Sequence, residues 1–305
     1  MAAGTKSTIN SIGNNLNGQD QLTFAASEDL GDGMTAYATY NIQPTISVNG
    51  GGSLTDVGSG VGIKGAFGNL FLGVVYDQVF LTMSNADVTG FGATAAVGSV
   101  WASTNGVGAN ARSIVYTLPS LAQGLEITAE HAYGGLATGV GDSSGVGISY
   151  TSGAFFLKYA ATQVQTSSGV TTFTTTDGAN TATSSLFDGS TANYQVLAAT
   201  YDLGVAKLYY GAQQMSMSDG GDAAESKWTA GVSVPFGAAS LGYGHSSAQF
   251  TSIAGLALNA ITSDAVVAKY NFSKRTLGYI KAAKSSTSST SASISNTSLG
   301  LVHSF

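Results

Sequence analysis

Along much of the chain, apolar and polar residues alternate one by one. Between Met34 and Ile42 the even positions read Met34, Ala36, Ala38, Tyr40 and Ile42, and the odd ones Thr35, Tyr37, Thr39 and Asn41. Successive side chains of a strand point to opposite faces, so this pattern predicts a strand with one apolar face. It recurs. Leu125, Ile127 and Ala129 oppose Glu126, Thr128 and Glu130, and Val146, Ile148 and Tyr150 oppose Gly147 and Ser149. Trp228, Ala230, Val232 and Val234 oppose Lys227, Thr229, Gly231 and Ser233. Val266, Ala268, Tyr270 and Phe272 oppose Ala265, Val267, Lys269 and Asn271.

Short turn signals separate these runs: Gly31-Asp32-Gly33, Phe67-Gly68-Asn69, Ser152-Gly153, Asp202-Leu203-Gly204 and Phe236-Gly237. Between alternate pairs lie longer polar connections at 43–56, 78–110, 164–190, 247–262 and 285–296. Candidate strands fall near 6–13 (the weakest), 20–27, 33–42, 57–65, 69–77, 111–118, 124–133, 144–151, 154–163, 191–202, 205–214, 226–234, 238–246, 263–272, 276–284 and 297–305. Short turns at one end and long loops at the other form the layout of a transmembrane barrel, and an even strand number closes it without edges. The expected fold is therefore all-β: an antiparallel transmembrane β-barrel of about sixteen strands, with residues 1–305 as one domain. Tyr40, Tyr76, Tyr116, Tyr133, Tyr150, Tyr159, Tyr201, Tyr243, Tyr270 and Phe305 fall near predicted strand ends, where two aromatic girdles belong.

Composition narrows the alternatives. Only 9% of residues are charged while 43% are apolar, against about 25% charged in an ordinary soluble domain. No window approaches the roughly 18 uninterrupted apolar residues of a spanning helix. With 0 cysteines, disulfide frameworks, zinc–thiolate sites and cysteine nucleophiles are excluded. The net charge of −6 argues against a nucleic-acid partner, which would call for a clustered basic footprint. Met1-Ala2-Ala3-Gly4-Thr5 shows no charged segment followed by an apolar core, as expected of a mature chain with an added initiator Met.

Five short segments carry a family resemblance. Ser27-Glu28-Asp29-Leu30-Gly31-Asp32-Gly33-Met34 is similar to an S-E-D-L-G-x-G-L turn, and Val61-Gly62-Ile63-Lys64-Gly65-Ala66-Phe67-Gly68-Asn69 to a V-G-L-K-G-x-F-G-x hairpin. Arg112-Ser113-Ile114-Val115-Tyr116-Thr117-Leu118-Pro119 is similar to an N-S-I-x-Y-x-S-P strand. Tyr270-Asn271-Phe272-Ser273-Lys274-Arg275-Thr276 and the terminal Leu299-Gly300-Leu301-Val302-His303-Ser304-Phe305 complete the set, in order. Together they resemble the Gram-negative general porins of the betaproteobacterial type. The resemblance implies a trimeric barrel in the outer membrane, a third loop (about 78–110) folded inward as a constriction, and passive diffusion of ions and small hydrophilic solutes. It implies Phe305 as the assembly signal and membrane lipid and lipopolysaccharide as surroundings, with no cofactor and no nucleic acid. Two segments depart from the family pattern. Thr5-Lys6-Ser7-Thr8-Ile9-Asn10 replaces its V-T-L-Y-G opening, and Leu72-Gly73-Val74-Val75 lacks its L-G-R-Q arginine.

Strand parity places charge in such a pore, because the face opposite the lipid-facing apolar side chains should line water. It assigns Lys64, Asp77, Glu126, Glu130, Lys158, Lys207, Lys227 and Lys269 to the lumen. Most other acids, Asp32, Asp142, Glu225 and Asp264 among them, fall in predicted turns and loops. The 78–110 connection is nearly neutral, with Asp87, Phe91 and Trp101 as its candidate constriction residues. A weakly charged, modestly selective pore follows.

Catalytic and metal chemistry find little support. His131, His245 and His303 are scattered on apolar parity near strand ends. Glu126 and Glu130 stand about 13–14 Å apart by strand rise, too far for a two-carboxylate hydrolase. Asp219-Gly220-Gly221-Asp222 could hold a calcium, although a plain turn explains it better. Two functional classes remain: a diffusion porin, and a non-conducting outer-membrane or surface-layer protein serving structure or adhesion.

Overall fold

In the computed structural model, the described residues are 21–45, 53–55, 58–90, 109–134, 141–165, 171–176, 181–186, 190–218, 224–252, 260–287 and 293–304. In chain order the elements are β1 (Leu22–Gly31), β2 (Met34–Thr45), β3 (Ser53–Thr55), β4 (Gly60–Gly65), β5 (Gly68–Tyr76), α1 (Gln78–Asn85), β6 (Ala109–Thr117), β7 (Leu125–Ala132), β8 (Ser143–Ser152) and β9 (Phe155–Gln165). There follow β10 (Thr171–Thr176), β11 (Thr181–Leu186), β12 (Thr191–Asp202), β13 (Lys207–Ser218), β14 (Ala224–Phe236), β15 (Ala239–Ser252), β16 (Ile261–Asn271), β17 (Thr276–Thr287) and β18 (Ser293–His303).

One 16-stranded sheet dominates. It consists of β3, paired only with β2, and a run in the order β1, β2, β4 to β9, then β12 to β18. Every strand of the run pairs antiparallel with its neighbours in that order, for example Asp202↔Lys207 through Thr191↔Ser218 between β12 and β13. β10 and β11 form a separate hairpin. The turns carry the glycines predicted for them. Gly31, Asp32 and Gly33 have φ of 82°, 50° and 74°, and the Gly31 amide donates to Asp29 Oδ1 at 2.9 Å. Glycine adopts such left-handed backbone without a Cβ penalty.

The two faces of the sheet differ in the sense a membrane requires. Outward rows expose large apolar side chains: Leu208, Tyr210, Trp228, Leu241, Tyr243, Val266, Tyr270, Ile280 and Leu299, the last 82% exposed. The opposite parity is buried and largely polar, as at Thr128 and Glu130 on β7, Gln213 on β13 and Lys227 and Thr229 on β14. An apolar exterior around a polar interior suits lipid outside and water inside. No helix among the described residues is long and apolar enough to cross a membrane.

All the predicted strands from 20–27 onward appear; the segment 6–13 lies outside the described residues, as do Phe91, Trp101, Phe305 and the 219–222 turn. Three expected loops contain structure. The 43–56 connection holds β3, the 78–110 connection opens with α1, and the 164–190 connection contains the β10–β11 hairpin. β15, β17 and β18 also reach into connections expected to be loop, since runs such as Ser246–Ser247 or Ser285–Thr287 are polar on both parities and show no period. Glu225 and Asp264, expected in loops, lie within β14 and β16. Glu225 fits an interior position because it pairs with Lys227 at 2.5 Å. Asp264 accepts from Tyr243 Oη at 2.6 Å and contacts His245 Nδ1 at 2.8 Å, which satisfies a carboxylate on the outer face.

Candidate functional site

The chain leaves β5 at Tyr76 and turns onto the inner face of the sheet. Asp77, 0% exposed, is the N-cap of α1, and its Oδ1 accepts the Phe80 amide at 2.8 Å. Asp is favoured there because its carboxylate satisfies an amide that the helix itself leaves unpaired. A second carboxylate comes from the sheet: Glu130 Oε1 on β7 accepts the Gln78 amide at 2.9 Å. Tyr76 stacks on Phe80 with centroids 4.5 Å apart. Val79 and Met83 then bury the helix's apolar side among Ala160, Val164, Ala192, Tyr194, Val196 and Met215. The helix is thus held by its polar start and its apolar flank.

Beyond α1, residues 86–90 continue across the same face. A Cβ added to Gly211 of β13 would meet Ala86, and one added to Gly231 of β14 or Gly242 of β15 would meet Val88. Lys281 Nζ on β17 donates to the Gly90 carbonyl at 2.8 Å. Residues 77–90 therefore touch strands from β7 to β17 on one side, the concave side of a curled sheet. Asp87 lies within this crossing. Its Oδ1 accepts both the amide and the hydroxyl of Thr89, at 2.9 and 2.7 Å. Its other oxygen is buried and has no hydrogen-bond partner among the described residues. Burial raises the Asp87 pKa above the usual carboxylate value, against the pull of the Thr89 hydrogen bonds and of the Lys281 and Lys269 charges.

The residues assigned to the lumen by parity occupy different settings. Lys64 is exposed on β4, its Nζ 5.8 Å from the centre of the Tyr37 ring. Lys207 lies 5.4 Å from the Tyr209 ring on β13. Glu126 is exposed on β7; Lys158 on β9 and Lys269 on β16 are half-buried. Lys227 is 2% exposed and its charge is met by Glu225. Asp77, Asp87, Glu130, Lys269 and Lys281 gather around the 77–90 segment. Sequence reasoning missed Lys281, because Leu277, Tyr279 and Ala283 on its parity are as apolar as Gly278, Ile280 and Ala282 opposite. It also missed Glu225 and Gln213. The Gln213 amide is buried beside Val196 and Lys227 in register, with no hydrogen-bond partner among the described residues. The histidines are apart: His131 contacts Ser144 Oγ at 2.9 Å, His245 contacts Asp264, and His303 contacts Thr276 Oγ1 at 2.9 Å. No group of three or more metal-ligating side chains occurs among the described residues.

A family model described as Gram-negative porin matches residues 2–290. The chain belongs to the Gram-negative porin family. That membership places the porin in the outer membrane as a channel for passive diffusion. Among solved structures, the anion-selective porin from Comamonas acidovorans matches with a TM-score of 0.76 at 20% identity, over 96% of this chain and 91% of that one. OmpT, an outer-membrane protein of Vibrio cholerae, matches with a TM-score of 0.72 at 12% identity, over 94% and 89%. OmpF of Salmonella typhi, in complex with daunomycin, matches with a TM-score of 0.63 at 15% identity, over 86% and 81%. No curated protein matches the chain. The porin's fold is that of these neighbours, an antiparallel transmembrane β-barrel, with the 77–90 segment inside it.

Proposed function

We propose that residues 77–90 narrow a water-filled pore of modest selectivity, within one barrel domain spanning residues 1–305. The observation that carries this reading is the passage of that segment across the concave face of a barrel whose outer face is apolar. The proposed pore wall comprises Lys64, Asp77, Glu126, Glu130, Lys158, Lys207, Lys227 and Lys269, with Asp87, Glu225 and Lys281 added. Six lysines thus stand against five carboxylates, a nearly balanced lumen in a chain of net charge −6. Much of the lysine charge is met locally: Lys227 by Glu225, and Lys269 and Lys281 by Asp87. Oppositely charged neighbours leave little net field to sort ions of one sign. The neighbour from Comamonas acidovorans is described as anion-selective; a slight anion preference is the corresponding expectation here.

The porin works without catalytic chemistry, as a homotrimer in contact with membrane lipid and lipopolysaccharide. Planar-bilayer recording tests the pore. Stepwise conductance is expected, with a small reversal potential in a salt gradient; no steps, or a preference of about tenfold for one sign, would overturn the reading. Gel mobility that shifts on heating tests the trimer.

A further inference from the structure

We infer that the aperture is set by a clamp: Glu130 at the head of the 77–90 segment, Lys281 at its tail, and between them a bed of wall glycines, Gly147, Gly211, Gly231 and Gly242. This rests on the reading of that segment as the constriction and says what fixes it in place. Glycine within a strand loses side-chain packing and conformational entropy, so its presence needs a reason. None of these four has a positive φ, so backbone freedom is not the reason. Close approach is. A Cβ on Gly147 would run into the Gln78 side chain and one on Gly211 into Ala86 Cβ; on Gly231 it would lie 2.7 Å from Val88 Cγ1 and 2.9 Å from the Tyr243 carbonyl of the next strand, and on Gly242 3.1 Å from Val88 Cγ2 and 3.0 Å from Val267 Cγ1 of the wall. Four glycines on four strands thus form a shallow track with the width of one peptide segment.

The two polar contacts hold the ends of the track. Glu130 takes an amide that α1 leaves free, at the end of the helix where a negative charge is favoured. Lys281 donates to the Gly90 carbonyl, so part of its hydrogen-bonding capacity goes to the segment's backbone. In holding the segment, Glu130 and the glycines are positioning residues: they touch its backbone and side chains. The segment behaves as a fixed sill, not a swinging lid.

Because the chain has 0 cysteines, a paired-cysteine probe can report the seating directly. Val88→Cys removes the methyl that a Cβ at position 242 would meet, and Gly242→Cys supplies the partner thiol. In the full-length, membrane-reconstituted protein this pair is expected to cross-link under mild oxidation. Adding Glu130→Ala, or separately Gly231→Val, should remove most of the cross-linked fraction and raise open-channel current noise. Glu130→Gln keeps an acceptor oxygen at the Gln78 amide and should retain both cross-link and quiet current. If the pair fails to cross-link, or Glu130→Ala and Gly231→Val leave cross-link and noise unchanged in a conducting protein, the clamp is wrong and the pore reading stands. If cross-linking follows the expected pattern in a protein that does not conduct, the clamp stands and the constriction reading falls.

Discussion

The pair formed by Glu225 and Lys227 gives the sharpest energetic test. Its charged atoms are 2.5 Å apart, and the Lys227 and Glu225 side chains are 0% and 1% exposed. At an effective dielectric constant of about 20, their attraction amounts to roughly 6–7 kcal/mol. Desolvating two such groups costs several kcal/mol each, so the pair as a whole contributes little net stability. Removing one partner is different, because the other charge stays buried without its counter-ion. Glu225→Gln should therefore destabilise the barrel by about 3–5 kcal/mol. Glu225→Gln combined with Lys227→Met removes both charges and should recover at least half of that loss. Urea unfolding of protein refolded in phospholipid vesicles, followed by tryptophan fluorescence, measures all three variants; Trp228, next to Lys227 in sequence, provides a signal. The reasoning is refuted if Glu225→Gln costs less than about 1 kcal/mol, or if the double variant is as unstable as the single one.

Four further outcomes follow from the same structure. The raised pKa of Asp87 means that, as pH falls, it takes a proton earlier than an ordinary carboxyl and stops offsetting Lys269 and Lys281; anion preference should rise through that step, and Asp87→Asn should show the raised preference at every pH. By the linkage sign, a raised carboxyl pKa favours the seated segment below the unfolded value and disfavours it as pH climbs through the window up to the raised one, so open-channel noise should be lowest on the acid side. Lys269→Gln removes a charge facing Asp87 and should move the reversal potential toward cations, whereas Lys227→Gln in a Glu225→Gln background should move it little. Val266→Arg places a charge on the apolar outer face midway along β16 and should cost about 2–4 kcal/mol in the same vesicle-based unfolding assay, with Val267→Arg not equivalent because that position faces inward.

The barrel was legible because lipid imposes a strict rule on one face. Wherever the outer parity carried Leu, Val, Ile or an aromatic ring, as in β2, β7, β14 and β16, the period of two stood out. It faded where Ser and Thr occupy both faces, and there β15 and β18 ran longer than expected. Parity also put Glu130 and Lys269 on the inner face without naming what they meet. Their partners lie in the 77–90 segment, about which alternation has nothing to say. A helix such as α1, only eight residues long, leaves too short a record of its own period between strands. Lys281 was hidden for a different reason: both sides of β17 are similarly apolar, so no face could be preferred. Glu225 was read as a loop acid because the alternating run was read as 226–234, beginning one residue after it; its spacing of two residues from Lys227 points both side chains inward, where they pair.

The contact between Lys281 and Gly90 joins residues 191 positions apart, whereas every hairpin in the sheet joins strands adjacent along it. The wall's successive strands pair across separations far shorter than this one, so each new strand can add to the last. The tail of the sill cannot be fastened until β17 has been laid down, near the end of the chain. Pairing across such a separation gains nothing until most of the intervening chain is ordered. Assembly therefore has a built-in order in which the wall precedes the narrowing, and the passage acquires its final bore as one of the last events of folding.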